Sequence, residues 1–416
     1  DNNGSFILSN VPAGNYVIVA SFVTYESDEK NLSIKSNDNI EINFFLNRDQ
    51  KKMKEVVVTG TMKPVSRLES PVPVEVFTAR FFKSNPTPSI FEALQNINGV
   101  RPQVNCAICN TGDIHINGLE GSYTMVLIDG MPIVSGLSTV YGLNGIPQSL
   151  IERVEIVKGP ASTLYGSEAV GGLINVITKK ITNAPIISAD IFDTSWGELN
   201  IDVAAKFSVG LRSESLLGMN YFKFNQRIDN DDDNFTDVAL QDRISIFNKW
   251  NFKRKDNRIF TIAGRYVFED RFGGDKDWNP KFRGSDIIYG ESIWTNRWEV
   301  FGAYQLPTKE RMILQFSANN HDQNSVYGNT RYIADQKIGF GQLTWYKTLS
   351  TKHDLLAGLT MRYTYYDDNT TATEISNIEN KENVPTHTRL PGIFFQDEIT
   401  LNESNKILFG MRYDYN

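Results

Sequence analysis

The chain has 416 residues, 40% hydrophobic and 22% charged, too long for one ordinary domain and too apolar for a disordered segment. Its 49 acidic and 42 basic residues leave a net charge of −7, so no basic surface is on offer for nucleic acid. Mean hydropathy is −0.32. No apolar run reaches the roughly 18 residues a helical membrane span needs, which leaves open a β-barrel, whose strands cross with about 9–11 residues of alternating polarity.

Residues 1–48 read as short strands: Gly4-Ser5-Phe6-Ile7-Leu8, the turn Val11-Pro12-Ala13-Gly14-Asn15, the run 16–22, and alternating Ile40, Ile42, Phe44 and Leu46. They predict an incomplete β-sandwich, and with no Met or signal sequence at Asp1 the mature N-terminus is expected upstream. A charged linker, Lys51-Lys52-Met53-Lys54, opens a segment spanning 49–63 that contains Glu55-Val56-Val57-Val58-Thr59-Gly60-Thr61. That short β-branched run reads either as the last strand of the sandwich or as a segment whose backbone pairs with a partner strand.

Residues 64–182 predict an α/β unit. A helix over 86–100 is capped by Thr87, with Ile90, Phe91, Leu94 and Ile97 on one face and Gly99 at its end. Strand patterns follow at 113–117, 124–128, 151–157 and 173–178, separated by glycine-rich turns. Cys106 and Cys109, the only cysteines, form a C-x-x-C between the helix and the first of these strands. In an oxidising compartment a local disulfide is the default. The alternative is a soft metal site for copper(I), with His115 in the same unit.

From 183 to 416 the pattern changes to long amphipathic strands near 186–195, 198–209, 214–228, 242–253, 258–269, 294–306, 312–326, 337–349, 354–366, 391–401 and 406–415. Leu355, Ala357, Leu359, Met361, Tyr363 and Tyr365 alternate with Leu356, Gly358, Thr360, Arg362 and Thr364, and the same period recurs over 260–269. Short connections alternate mostly with long ones, the asymmetry of an outer-membrane barrel with periplasmic turns and extracellular loops. Arg265, Arg362 and Arg412 fall on the polar face, so they are expected to point into the lumen. The histidines are scattered, none lies in H-E-x-x-H, and no G-x-S-x-G or phosphate-binding loop occurs, so an enzyme is not the expectation. The acidic run Asp231-Asp232-Asp233 lacks calcium-loop spacing and reads as a solvated loop.

Four motifs in order carry a family resemblance: 114–119 (I-H-I-N-G-L), 126–132 (V-L-I-D-G-M-P), 151–160 (I-E-R-V-E-I-V-K-G-P) and 164–178 (L-Y-G-S-E-A-V-G-G-L-I-N-V-I-T). Together they resemble the plug of TonB-dependent outer-membrane receptors, and E-V-V-V-T-G-T resembles a TonB box. G-S-F-x-L-x-x-V-P-A-G-x-Y resembles a carboxypeptidase regulatory-like domain. Asn98-Gly99-Val100 and Ile116-Asn117-Gly118 depart from the family's usual P-G-V and I-R-G.

The resemblance implies a mainly β protein in four parts: an incomplete sandwich (1–48), a linker with TonB box (49–63), a plug (64–182), and the first half, about eleven strands, of an antiparallel transmembrane barrel of about 22 strands (183–416). It implies TonB-dependent import across the outer membrane of a Gram-negative bacterium, of a metal chelate (siderophore, haem or cobalamin) or a metal ion such as copper. Glycan or peptide import, or an adhesin, are the alternatives. Expected partners are TonB, at Glu55, Val56, Val57, Val58, Thr59 and Gly60, outer-membrane lipid, a small-molecule ligand and a surface lipoprotein; no cofactor is implied. Cys106, Cys109 and His115 are candidate ligand contacts. Glu152, Arg153 and Glu155 are candidate plug partners for the lumen arginines Arg265, Arg362 and Arg412.

Overall fold

A computed structural model describes residues 6–20, 28–36, 38–46, 56–106, 108, 111–134, 137, 142–377, 380–402 and 405–415. Contacts divide the chain into two units, one of 1–57 with 64–70 and the other of 58–63 with 71–416. The smaller unit holds an antiparallel hairpin of β1 (Gly14–Ala20) and β2 (Asp28–Ile34), in which every second residue is exposed. It also holds a two-residue ladder between β3 (Val56–Val57) and β4 (Val65–Ser66).

The larger unit begins with the plug. Its sheet contains β5 (Glu75–Thr78), β8 (Thr124–Ile128), β9 (Met131–Val134), β10 (Ile151–Val157) and β11 (Gly172–Thr178), in the order β5-β10-β11-β8-β9. The β8–β9 turn is Asp129-Gly130, with φ of 50° and 80°. Positive φ at both positions is what a type I′ turn demands and what Asp-Gly supplies. A separate antiparallel pair joins β6 (Val100–Cys106), which ends on the first cysteine of the C-x-x-C, to β7 (Thr111–Ile116).

The helical stretch differs from expectation. Helix α1 (Ala79–Ser84) precedes α2 (Ile90–Ala93), and the latter is continued only by a 3-10 turn, Leu94–Asn96. The cap is Ser89 rather than Thr87: its hydroxyl accepts from the Glu92 amide at 3.3 Å, the Ser-x-x-Glu arrangement of a capping box. Pro86 and Pro88 restrict the residues before them and delay the helix start to Ile90.

Eleven consecutive antiparallel strands form the wall: β12 (Ile187–Asp193), β13 (Leu199–Val209), β14 (Ser213–Phe224), β15 (Leu240–Phe252), β16 (Phe260–Gly274), β17 (Gly290–Gln305), β18 (Arg311–Tyr327), β19 (Thr330–Thr348) and β20 (His353–Asp368), then β23 (Thr386–Asn402) and β24 (Asn405–Asp414). A small hairpin, β21 (Glu374–Asn377) with β22 (Asn380–Asn383), interrupts the last long connection. The expected alternation holds: Tyr266, Phe268, Leu359 and Met361 are exposed on the outer face, while Arg265, Val267, Glu269 and Thr360 are buried inside. An aromatic chain runs from Phe207 through Trp250, Phe252 and Phe260 to Tyr304 near the periplasmic turns, with neighbouring ring centres 4.6–6.2 Å apart. This is one interfacial girdle. Tyr266, Phe268, Trp294 and Trp298 supply its counterpart nearer the other end.

Several strands outrun the sequence pattern. β19 begins at Thr330 instead of 337 and meets β18 through a two-residue turn at Gly328-Asn329. Neither face of its outer end is consistently apolar, so the alternation that marks the lipid-facing part stops there.

Candidate functional site

Central plug strand β10 carries a glutamate, Glu155, that is fully buried. A carboxylate there is tolerable only if its lone pairs are filled. Arg153, two residues away on the same strand, pairs with Oε1 through Nε at 2.8 Å and Nη2 at 2.7 Å. The other oxygen accepts from the amides of Val58 and Thr59 at 3.0 and 2.9 Å and from the Thr59 hydroxyl. Asn175 on β11 uses both ends of its amide, accepting from the Gly130 amide and donating to the Thr59 hydroxyl oxygen, each at 3.0 Å. The Tyr165 hydroxyl donates to the Thr59 carbonyl at 2.9 Å.

The segment is also held from the wall. Tyr346 on β19 donates to the Met62 carbonyl at 2.8 Å. Lys63 pairs with Asp354 on β20 and, at 3.0 Å, with Glu398 on β23. Burial alone would lower the Lys63 pKa, but these two carboxylates outweigh it and raise it. Residues 58–63 thus lie docked, with Thr59 and Thr61 buried, by these polar contacts and by Met62 packed against the cluster of Leu164, Leu356 and Phe394. Of the expected TonB-contact residues, Val58, Thr59 and Gly60 lie in this unit, Val56 and Val57 form β3 in the other, and Glu55 lies outside the described residues.

The lumen arginines face inward but choose other partners than Glu152 and Glu155. Arg265 forms a bidentate pair with Glu299 on β17, both contacts 2.8 Å, and donates to the plug carbonyl of Gly142 at 2.7 Å. Arg362 pairs with Glu168 at 2.8 Å, and Arg412 donates to the Leu164 carbonyl at 3.1 Å. Glu152, Arg153 and Glu155 form a cluster inside the plug instead, Arg153 meeting Glu152 at 2.8 Å. The reason is topological: β10 lies between β5 and β11, Glu155 looks onto residues 58–59, and Arg153 bridges it to Glu152.

Two further plug contacts went unread in the sequence. Lys249 on β15 meets Asp129 of the Asp-Gly turn at 2.8 Å and the Thr178 hydroxyl at 2.7 Å. Arg243 donates to the Pro88 carbonyl at 3.2 Å, beside Glu92. Burial and the nearby Glu198 raise the Glu92 carboxyl to about 7 against the opposing pull of Arg243 and Arg271.

Cys106 lies at the far end of the β6–β7 hairpin. Its sulfur is 3.2 Å from the Glu291 carboxylate, at the start of β17, and it packs against Ile293, which Tyr327 also covers. The neighbouring Ile108 carbonyl presses on Gly273 at the end of β16, where an added Cβ would lie 1.9 Å away. These contacts are at the strand ends opposite the periplasmic turns. Cys106 is disulfide-bonded, and Cys109 lies outside the described residues. A disulfide sulfur is not a thiolate, so the copper(I) reading loses its donor.

His115 does not complete such a site either. It lies opposite Arg101, four residues along β7 from the Thr111 that faces Cys106, which is about 13 Å of strand. It meets Asp113 at 3.1 Å. Among the described residues the one grouping close enough for a metal is Asp229, Asp231 and Asp237, and Asp229 already holds Lys276.

A lipid-facing wall with aromatic girdles, gripping an internal α/β domain through polar contacts and a shared apolar cluster that joins Ile146 and Leu150 to Leu216, Phe247 and Phe301, defines a plugged outer-membrane β-barrel. Residues 66–173 match the TonB-dependent Receptor Plug Domain and residues 1–58 the CarboxypepD_reg-like domain. With the architecture, these matches place the chain among the TonB-dependent receptors of the Gram-negative outer membrane. It is similar to the vitamin B12 transporter BtuB of Vibrio cholerae, 23% identical over 329 residues, which are 73% of this chain and 52% of the relative. The chain therefore spans about half the length of the curated relatives it matches. Among solved structures, the pyoverdine outer membrane receptor FpvA of Pseudomonas aeruginosa aligns with a TM-score of 0.64 at 13% identity, over 88% of this chain and 60% of that one. The siderophore receptor PiuA of Acinetobacter baumannii aligns at 0.61 and 14%, over 88% and 59%. At these identities the solved structures speak to fold.

Proposed function

We propose that the receptor carrying this chain imports a scarce metal chelate, such as a siderophore, haem or cobalamin, across the outer membrane, driven from the periplasm by TonB. The supporting observation is the docked segment 58–63, tied to Glu155, Asn175, Tyr165 and Tyr346 by hydrogen bonds that can break and re-form. A plug that fills its pore cannot leak, and the outer membrane has no nucleotide supply, so work must enter through a periplasmic handle. Ligand bound above favours the undocked state, TonB pairs with residues 55–61 as an added strand, and pulling remodels the plug. Similarity to a vitamin B12 transporter and to siderophore receptors favours a chelate over a glycan or peptide.

Deleting residues 58–61 tests this reading. Ligand binding to whole cells should persist while accumulation stops, with growth scored under iron, haem and cobalamin limitation one nutrient at a time. Undiminished accumulation by the deletion variant would defeat it; binding without accumulation by the unaltered receptor on every nutrient would favour an adhesin.

A further inference from the structure

One plug element connects the docked segment to two separate strands of the wall. Helix α3 (Ser162–Tyr165) ends in the tyrosine whose hydroxyl reaches the Thr59 carbonyl. The residue before it, Leu164, gives its carbonyl to Arg412 on β24. Three residues after it, Glu168 meets Arg362 on β20. Gly166 lies between these grips at φ 92°, ψ −178°, a conformation essentially reserved for glycine, so the chain bends sharply beside Tyr165. Arg412 is itself fixed, by Asp414 at 2.7 Å and by the Thr360 hydroxyl at 3.2 Å. Burial and the adjacent Glu155 charge raise the Tyr165 phenol, which keeps it a neutral donor at any physiological pH.

We propose that Tyr165 is the positioning residue through which the barrel wall sets whether the coupling segment stays docked: Arg362 and Arg412 hold residues 162–169, and the tyrosine hydroxyl passes that hold to Thr59. The inference rests on reading 58–61 as the coupling segment. Displacing either guanidinium, through ligand or through movement of the wall, shifts the hydroxyl off a buried carbonyl. A buried acceptor left without its donor favours undocking.

Hydrogen exchange at the Val58 and Thr59 amides, measured on the purified receptor in micelles, reads docking directly. Tyr165→Phe keeps the ring and removes one hydroxyl, and should speed exchange by about five- to tenfold, the value of one buried hydrogen bond. Arg362→Gln and Arg412→Gln should each do the same alone and add nothing once Tyr165→Phe is present. Wild-type exchange in Tyr165→Phe, with fast exchange in Glu155→Gln, overturns the relay and leaves the coupling segment intact as a reading. Wild-type exchange in both overturns the two together. Arginine effects that add fully to Tyr165→Phe mean the wall acts by another route, and also overturn the proposal.

Discussion

Replacing Glu155 by Gln should release the coupling segment without ligand. The carboxylate serves two sets of donors at once, Arg153 on one oxygen and Val58 with Thr59 on the other. Glutamine has one acceptor oxygen. Turned toward Thr59, it presents its NH2 to the Arg153 guanidinium; turned toward Arg153, it presents NH2 to two amides and a hydroxyl. Either way a buried donor set goes unmatched, although Arg153 keeps Glu152. Hydrogen bonds to charged groups contribute about 1.5–3 kcal/mol each, so the docked state should lose on the order of 3 kcal/mol, roughly a hundredfold in the docked-to-undocked ratio. The periplasmic domain of TonB should then bind the ligand-free receptor up to about a hundredfold more tightly, because less of its binding energy goes into opening the site. Glu152→Gln, which touches Arg153 and not the segment, is the control and should change little. Wild-type TonB affinity in Glu155→Gln would refute the reasoning.

Further outcomes follow from other contacts. Because the Glu92 carboxyl is raised to about 7 in the folded plug, the stability it contributes is complete below its ordinary value near 4.5 and is lost as pH rises through about 7. Melting temperature should therefore fall between about pH 4.5 and 7 and level off above, and Glu92→Gln should flatten that fall; an unchanged slope would refute the assignment. Gly273→Ala places a Cβ 1.9 Å from the Ile108 carbonyl and should push the hairpin tip off the wall. Its cost is about 1–3 kcal/mol of overpacking, read as a lower melting temperature and faster reduction of the Cys106 disulfide by dithiothreitol. Cys106→Ser combined with Cys109→Ser should lower plug stability by about 2 kcal/mol, the entropy of closing so short a loop, and leave chelate uptake near wild type. Abolished uptake with unchanged stability would restore a metal role.

The barrel was legible because lipid and lumen impose opposite chemistry on alternate residues. Tyr266 and Phe268 against Arg265 and Glu269 reveal both the strand and its facing. Beyond the bilayer that contrast fades: Arg331, Ile333 and Asp335 alternate with Tyr332, Ala334 and Gln336, and neither set is consistently apolar. Strand β6 was hidden for a similar reason, since most of its residues are exposed and it contains Pro102. The docking site was half legible. A glutamate inside the apolar run I-E-R-V-E-I-V announces that something must satisfy it, but its partners lie 96 and 97 residues away and emerge only when β10 is set between its neighbours. Lys63, Asp354 and Glu398 carried no local signal, because a lysine after a β-branched run is ordinary at any surface.

The length of β19 sets how far the wall rises beyond the lipid. Nineteen residues extend about 63 Å along the strand and about 48 Å along the membrane normal at the usual tilt. Lipid covers about 25 Å of that height, and the aromatic girdle fixes the lower part near the periplasm. Roughly 20 Å of wall along β19 therefore stands clear of the headgroups. On the function proposed above, capture would begin outside the bilayer, and the rim is what any large particle arriving from outside reaches first. Sequence change at that rim touches neither the lipid-facing band nor the docked residues 58–63, so the outward face of such a wall is free to vary while the docking contacts stay fixed.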